Sequence, residues 1–396
     1  MRRVVIVGAG PAGTRCAESL AAAGDAIAIT LIGSEPHPPY NRVALSQYLV
    51  GDLEEADLVT HPAPVLAAQG VGWLPGARVC AIDRARRVVE QVDGPPLAYD
   101  ALVLATGAQP IRLPIPGADG PGVIAYRTLD DVRAMLAHAG TGGSAVVIGG
   151  GLLGLEAAAG LARRGASVTV LQAAGWLMNR QLDRTAAGLL QQRLEAQGIA
   201  VITHATTTAI EPGAVLLSDG RRIPGGIVVM AAGIRPDTAL AAAAGLAVGR
   251  GILVDDAMRT DDPAVWAIGE CAEHDGTLIG LVAPALAQAD IAAASILGGV
   301  GRYAAVSGST ALKVAGAGVW SAGDIDDGEV IILQDPAAGQ YRRLVIRGDR
   351  LVGAMLYGET ADAIWYMGLI KQCQPLGDIR GILPFGPAYA RMETAA

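Results

Sequence analysis

Apolar residues in this chain fall into short unbroken runs, and glycine follows them closely. The run Arg3 to Val7 ends at Gly8-Ala9-Gly10-Pro11-Ala12-Gly13. It shows no alternation of apolar and polar positions, so it predicts a strand buried on both faces. A helical stretch follows through Ala23, and a second apolar run, Ala28 to Ile32, predicts the next strand. The order is that of a βαβ opening. It recurs as Ala145 to Ile148, then Gly149-Gly150-Gly151-Leu152-Leu153-Gly154, a helix through Arg164 and a strand at Ser167 to Leu171. Two further runs end in small-residue turns, Leu102-Val103-Leu104-Ala105-Thr106-Gly107 and Ile227-Val228-Val229-Met230-Ala231-Ala232-Gly233, and each closes one of these units.

Between the units lies a Pro-rich crossover from Gln109 to Pro121. After Gly233, the segments Ile252 to Asp255 and Val265 to Glu270 look like a return to the first domain, which makes the second unit an insertion in the first. From about Thr310 the pattern changes to alternating strands, Ala311 to Val314, Glu329 to Leu333, Tyr341 to Ile346 and Leu351 to Leu356. A helix from Thr360 to Ile370 and a Pro/Gly-rich tail, Leu383 to Pro387, complete that part. The expected fold is α/β, with two Rossmann-like dinucleotide-binding domains, the second inserted in the first, plus an α+β C-terminal domain. Expected boundaries are 1–115 with 240–309 for the first domain, 116–239 for the second and 310–396 for the third.

Composition supports large buried sheets: 52% of the 396 residues are hydrophobic, enough for two or three domains. Fifty-three glycines and a single Phe point to close packing of helices on sheets through small side chains. A net charge of −8 argues against nucleic-acid and anionic-membrane partners. No window supplies the about 20 apolar residues of a membrane-spanning helix. Met1-Arg2-Arg3 runs directly into a strand, not into a signal-type apolar stretch, so the expected location is cytoplasmic. The four cysteines, Cys16, Cys80, Cys271 and Cys373, form no CxxC or CxxxxC pair. A redox dithiol of the usual local design is therefore not expected.

The chemistry lies in the glycine loops. Gly8 permits the tight turn, Gly10 lets the backbone approach a pyrophosphate, and Gly13 allows close packing of helix on strand. The helix N-terminus opened by Pro11 and Ala12 favours an anion. Glu35, just past the second strand, is placed to accept hydrogen bonds from a ribose hydroxyl. In the second loop Gly149, Gly151 and Gly154, with Leu152 and Leu153 between them, repeat these mechanics, but the strand ends Leu171-Gln172-Ala173 and the acid is missing. No Arg stands immediately beside it, which leaves NADH or NADPH open. Glu156 is placed on the first helical turn, either as a dipole-stabilised acid or as a cofactor contact. Gly269-Glu270 presents an acid either for polyol hydroxyls or as a helix N-cap. Gly280-Leu281-Val282-Ala283-Pro284 opens an Ala-rich helix whose N-terminus favours negative charge.

Two dinucleotide units with Thr106-Gly107, Ala232-Gly233 and Gly269-Glu270 together resemble the pyridine nucleotide-disulfide oxidoreductase superfamily, whose fold is glutathione-reductase-like, across nearly the whole chain. Within it, Pro39-Tyr40-Asn41-Arg42 to Ser46, Leu177 to Asp183, Gly269 to His274 and Gly280 to Pro284 look like the flavoprotein half of NAD(P)H-dependent nitrite reductase large subunits and related rubredoxin or nitrate reductase electron-transfer components. The resemblance implies FAD at Gly8 to Gly13, Glu35, Arg42, Ser46, Gln47, Ala105, Thr106, Gly107, Gly269, Glu270, Val282 and Ala283, with Arg42 reaching the pyrophosphate. It implies NAD(P)H at Gly149 to Gly154, Glu156, Gln172, Ala232 and Gly233. Relatives that reduce iron–sulfur proteins often carry Lys after the Ser, where this chain has Gln47, and peroxide-handling relatives use a Cys in the loop that here reads Asn41 to Tyr48 without one.

The expected function is FAD-dependent NAD(P)H oxidation. Hydride goes to FAD, and electrons then go to a separate iron–sulfur, rubredoxin-like or haem acceptor: a ferredoxin, a rubredoxin, or a nitrite or nitrate reductase subunit. Glu156 is the sole catalytic candidate, and the chain is expected as a monomer or homodimer. Two rival readings need the same loops: an oxidase reducing O₂ directly, and a redox-sensing binding protein. Buried apolar roles are favoured for Cys16 and Cys271, and a solvated loop for His274. Trp365 and Tyr366 either cover the flavin or pack the core.

Overall fold

The computed structural model describes residues 1–24, 26–140, 142–304, 309–314 and 316–389. Two compact units divide the chain, one from Met1–Tyr48, Asp52–Pro110 and Ile234–Val306, the other from Leu49–Gly51, Ile111–Gly233 and Ser307–Ala396.

In the first unit five parallel strands lie in the order Val265–Ala267, Ala101–Leu104, Arg2–Val7, Ile27–Ile32, Val71–Leu74. Parallel strands need crossovers that cover both faces, and this explains the unbroken apolar runs. Val4 and Ile6 of the central strand sit in one cluster with Cys16, Leu20, Leu31 and Trp266. Val5 and Val7 sit in another with Tyr99, Leu102, Leu104 and Val265. On the first face, helices Pro11–Ala21 and Val282–Ile296 pack through Ala17, Ala289, Ala292 and Ala293, all fully buried or nearly so. The small residues allow that approach, and Arg15 and Ser19 of one helix hold Asp290 of the other at 2.8 and 2.7 Å.

The second unit repeats the plan: five parallel strands in the order Ala200–Ile202, Ser167–Leu171, Ser144–Ile148, Ile227–Met230, Val123–Ala125. The same unit holds the C-terminal sheet, five antiparallel strands in the order Ser309–Val314, Ala317–Gly323, Arg350–Gly358, Gln340–Arg347, Glu329–Asp335. The expected strands are there, and Ala317–Gly323 is added. Its small residues and its largely buried run hide the two-residue period that marks its neighbours.

Helix Ala363–Gln372 covers this sheet. Of the two aromatic side chains left open between flavin cover and core, Tyr366 is core: it is fully buried and donates its hydroxyl to Leu383 O at 2.8 Å. Trp365 is half-buried against the same cluster. Arg342, on the sheet, binds Asp362 at 2.7 Å and also reaches the Tyr366 hydroxyl and Pro384 O, both at 3.1 Å. One buried guanidinium thus ties sheet, helix and tail together.

Removing one member of such a set strands the others. Arg342→Met is expected to lower the stability of the C-terminal sheet by about 3 kcal/mol and to expose the tail after Leu383 to protease. Denaturant unfolding with limited proteolysis checks this, and wild-type protection of the tail would refute it.

Candidate functional site

Each unit carries one glycine loop at the C-terminal end of its central strand, where α/β sheets bind ligands. The two turns are built alike. Gly8 N–H donates to Ile32 O and Gly149 N–H to Leu171 O, both at 2.8 Å. Gly8 has φ +115° and Gly149 φ +119°, a region that disfavours side chains. A Cβ on Gly8 would lie 2.0 Å from Ala105 O, and one on Gly149 2.3 Å from Ala231 O. At the third glycines the crowding is as severe: a Cβ on Gly13 would sit 1.9 Å from Gly8 O, and one on Gly154 1.9 Å from Gly149 O.

The central glycines differ. A Cβ on Gly10 or Gly151 would meet nothing within 4 Å, and both residues have extended backbone open to any amino acid. Packing therefore does not explain glycine there. What it leaves is an open cradle over a helix N-terminus. Helix Pro11–Ala21 begins its ladder with Thr14 N–H on Gly10 O, so the N–H groups of Ala12 and Gly13 precede the ladder. Neither this helix nor Leu152–Arg163 has an acid in its first turn. Both ends suit a pyrophosphate.

Around the first loop the chain gathers charged and polar groups from distant segments. Glu35 accepts from Arg42 at 2.6 Å and from the Tyr40 hydroxyl at 2.7 Å, and Arg42 lies over the Tyr40 ring. Burial works against the Arg42 charge, but Tyr40, Glu35 and Glu270 outweigh it and hold the guanidinium above its usual range. Gly269 (φ +79°) comes against Ala12, where its added Cβ would be 3.1 Å from that of Ala12. Its N–H is fixed by the buried Gln288 Oε1 at 2.7 Å. Glu270 sits inside a single 3₁₀ turn, Gly269–Cys271, and so is not a helix N-cap. The Thr106 hydroxyl donates to Asp237 O at 2.7 Å. Ala105 is buried with its carbonyl against Gly8, and Gly107 has φ +70°.

Ser46 and Gln47 lie on helix Leu45–Val50, Ser46 half-buried with its hydroxyl on Val43 O, Gln47 exposed. The Ala-rich helix starts at Val282, which leaves Leu281, Val282 and Ala283 exposed at its N-terminus. Cys16 and Cys271 are fully buried, and burial pushes both thiols up, Cys16 to about 12. Neither is a ready nucleophile.

At the second loop two expectations change. Helix Leu152–Arg163 already begins inside the glycine motif, so Glu156 falls in the second turn, half-buried, and not on the first. The dipole argument for its carboxylate lapses. Gln172 is 8% exposed and turned inward, its Oε1 accepting from Gly150 N–H at 2.9 Å and its Nε2 donating to Trp176 O and Asn179 Oδ1, both at 3.1 Å. The side chain staples the next loop to the glycine turn. Leu152 is half-buried, while Leu153 and Gly233 are exposed; Ala232 is half-buried beside Gly233.

A third correction concerns His274. It is buried on strand Ala272–His274, with Nε2 3.0 Å from Asp256 Oδ1 and its ring edge-on to Tyr303. Sequence reasoning did not single out Gln288, Asp237, Asn179 or the role of Tyr40. An amide amid the alanines of helix Val282–Ile296 was the available sequence signal for Gln288.

Residues 2–294 match the family model described as pyridine nucleotide-disulphide oxidoreductase, and residues 309–374 the rubredoxin NAD+ reductase C-terminal domain. An assimilatory nitrate reductase electron transfer subunit of Bacillus subtilis (strain 168) is 40% identical over 91% of this chain and 48% of its own length. Rubredoxin-NAD(+) reductase of Pseudomonas putida is 35% identical over 74% of this chain and 80% of that protein. The putidaredoxin reductase in its covalent complex with putidaredoxin superposes with a TM-score of 0.86 at 30% identity, covering 94% of both chains. This chain spans about half the length of the Bacillus subtilis nitrate and nitrite reductase proteins it matches.

The loop geometry separates two kinds of glycine. In ligand-free chains Gly13→Ala and Gly154→Ala are expected to cost more than about 2 kcal/mol, while Gly10→Ala and Gly151→Ala stay within about 0.5 kcal/mol of the parent. Denaturant midpoints decide, and a Gly10→Ala chain as unstable as Gly13→Ala would show that packing fills the cradle.

Proposed function

The chain belongs to the pyridine nucleotide-disulphide oxidoreductase family, and from that premise we propose that it is an FAD-dependent NAD(P)H oxidoreductase that feeds electrons to a separate acceptor protein. The observation that carries the proposal is the pair of matched glycine loops, one in each unit, each with an open central glycine. A chain with two such loops is built to hold two dinucleotides.

FAD is assigned to the first loop. Gly8, Gly10, Pro11, Ala12 and Gly13 cradle the pyrophosphate, Glu35 receives the ribose, and Arg42 supplies the cation for the phosphates. Ala105, Thr106, Gly107, Gly269 and Glu270 line the polyol side. Ser46, Gln47, Val282 and Ala283 would meet the ring end of the cofactor. The clustering of Glu35, Arg42 and Glu270, and of Gly269 with Ala12, supports one continuous site. NAD(P)H is assigned to Gly149, Gly151, Leu152, Leu153, Gly154, Ala232 and Gly233, with Gln172 holding the loop beside them and Glu156 as a nicotinamide-side candidate. Functional domains follow as 1–115 with 240–309 for FAD, 116–239 for NAD(P)H and 310–396 as a C-terminal interface or cover. The chemistry a bound flavin supplies is to take a hydride from a nicotinamide and to give up electrons singly. The chain's own residues bind, orient and hold charge, and hydride transfer asks no side-chain base of them.

Acceptors of the proposed class are small iron–sulfur or rubredoxin-like proteins, or a nitrite or nitrate reductase subunit. The names of the relatives and the match of the C-terminal segment to the rubredoxin reductase domain support that class. No helix among the described residues is long and apolar enough to cross a membrane. The proposal places the protein in the cytoplasm as a monomer or homodimer, without nucleic-acid or membrane partners.

Anaerobic stopped-flow of the purified protein is expected to show flavin bleaching on mixing with NADH or NADPH, followed by reoxidation on adding rubredoxin or ferredoxin. Fast nucleotide consumption in aerated buffer without acceptor would mark an oxidase instead. Flavin that neither nucleotide reduces would sink the proposal.

A further inference from the structure

We propose that the second dinucleotide site is built for the 2′-phosphorylated nucleotide, NADPH, and that His204 is the residue that meets the 2′-phosphate. The inference rests on the assignment of NAD(P)H to that loop. The ribose of a nucleotide seated there falls at the end of strand Ser167–Leu171, where an acid selects a free 2′-hydroxyl and a cation admits a phosphate.

That corner has no place for a carboxylate. Gln172 Nε2 donates to two acceptors, Trp176 O and Asn179 Oδ1. A Glu in its place would set a negative oxygen against both, a buried repulsion without compensation. Ala173, Ala174 and Gly175 follow with no acid. Asp183, the next one along, is engaged elsewhere: it caps helix Arg184–Ala196 through Ala186 N–H at 2.9 Å and binds the Tyr341 hydroxyl at 2.5 Å, with Arg343 at 3.7 Å. The first loop differs, since Glu35 stands beyond the equivalent strand.

His204 fills the corner instead. It follows strand Ala200–Ile202, the parallel neighbour of Ser167–Leu171, so it too lies at the carboxyl end of the sheet. Its N–H donates to Ala174 O at 3.1 Å. The ring lies over Gly175, where a Cβ would come within 2.9 Å of the imidazole Cε1 and 3.1 Å of Nε2. The imidazole thus rests on the face that Gly175 leaves open. His204 is exposed and sits in left-handed backbone at φ +52°, a conformation that His adopts more readily than most side-chain-bearing residues. Among the described residues its ring nitrogens have no partner. An imidazole so held offers a phosphate a charge-assisted hydrogen bond.

The direct probe is calorimetric titration of the purified protein with 2′,5′-ADP and with 5′-AMP, for wild type and for His204→Asn. Asn tolerates the left-handed backbone, so the variant keeps the loop. The wild type should bind 2′,5′-ADP the more tightly, and His204→Asn should shrink that advantage about tenfold. The ratio of kcat/KM for NADPH to that for NADH should fall in parallel, through KM for NADPH. Equal or weaker binding of 2′,5′-ADP by the wild type, or an advantage that survives in His204→Asn, overturns the inference. Because the titration needs no flavin reduction, its outcome is separate from that of the bleaching experiment.

Discussion

Both units depend on one close approach, a helix drawn so near the end of a strand that no side-chain carbon fits between them. Gly13 against Gly8 O and Gly154 against Gly149 O leave 1.9 Å for an atom that is not there. Such contact fixes the helix N-terminus over the strand end and sets its N–H groups beside an open central glycine, an arrangement that suits a phosphate. Ala105 and Ala231, one residue past the flanking strands Ala101–Leu104 and Ile227–Met230, supply the carbonyls that close the first turn from the other side. Everything else at the two sites is arranged around these fixed points.

Given the same turn twice, the chain makes two different corners. In the first, Glu35, Tyr40 and Arg42 form a charged cluster, and Gln288 pins the Gly269-Glu270 turn against the loop. In the second, a neutral amide takes the place of the acid and spends its hydrogen bonds on the loop itself. The difference is one of electrostatics on a common backbone. It distinguishes the two loops without any change in fold, in keeping with function residing in a site grafted on a shared scaffold.

The glycine loops, the strands on either side and the inserted order were legible because they rest on local rules: unbroken apolar runs for buried parallel strands, and glycine where no Cβ fits. What escaped was set by contacts between distant residues. His274 reads as an isolated polar residue in a loop-like stretch, and only the fold brings Asp256 and Tyr303 to it. Glu156 was misplaced by a turn because the helix starts at Leu152, within the motif and not after it. Gln172 looked like an absent acid, since nothing local shows that Trp176 O and Asn179 would demand a donor. Ala317–Gly323 lacked the alternation that reveals its neighbours, and Tyr366 gave no sign that Arg342 and Leu383 would claim its hydroxyl.

The central claim is that the two loops hold different dinucleotides, FAD in the first and NAD(P)H in the second. Flavin absorbance and anaerobic nucleotide reduction of Gly10→Ala and Gly151→Ala, purified side by side, test it most directly. The account predicts that Gly10→Ala emerges largely colourless, while Gly151→Ala is fully yellow yet bleaches with nucleotide at least about tenfold more slowly than wild type. A Gly151→Ala protein that has lost its flavin, or a Gly10→Ala protein that keeps flavin and fails only with nucleotide, would contradict it.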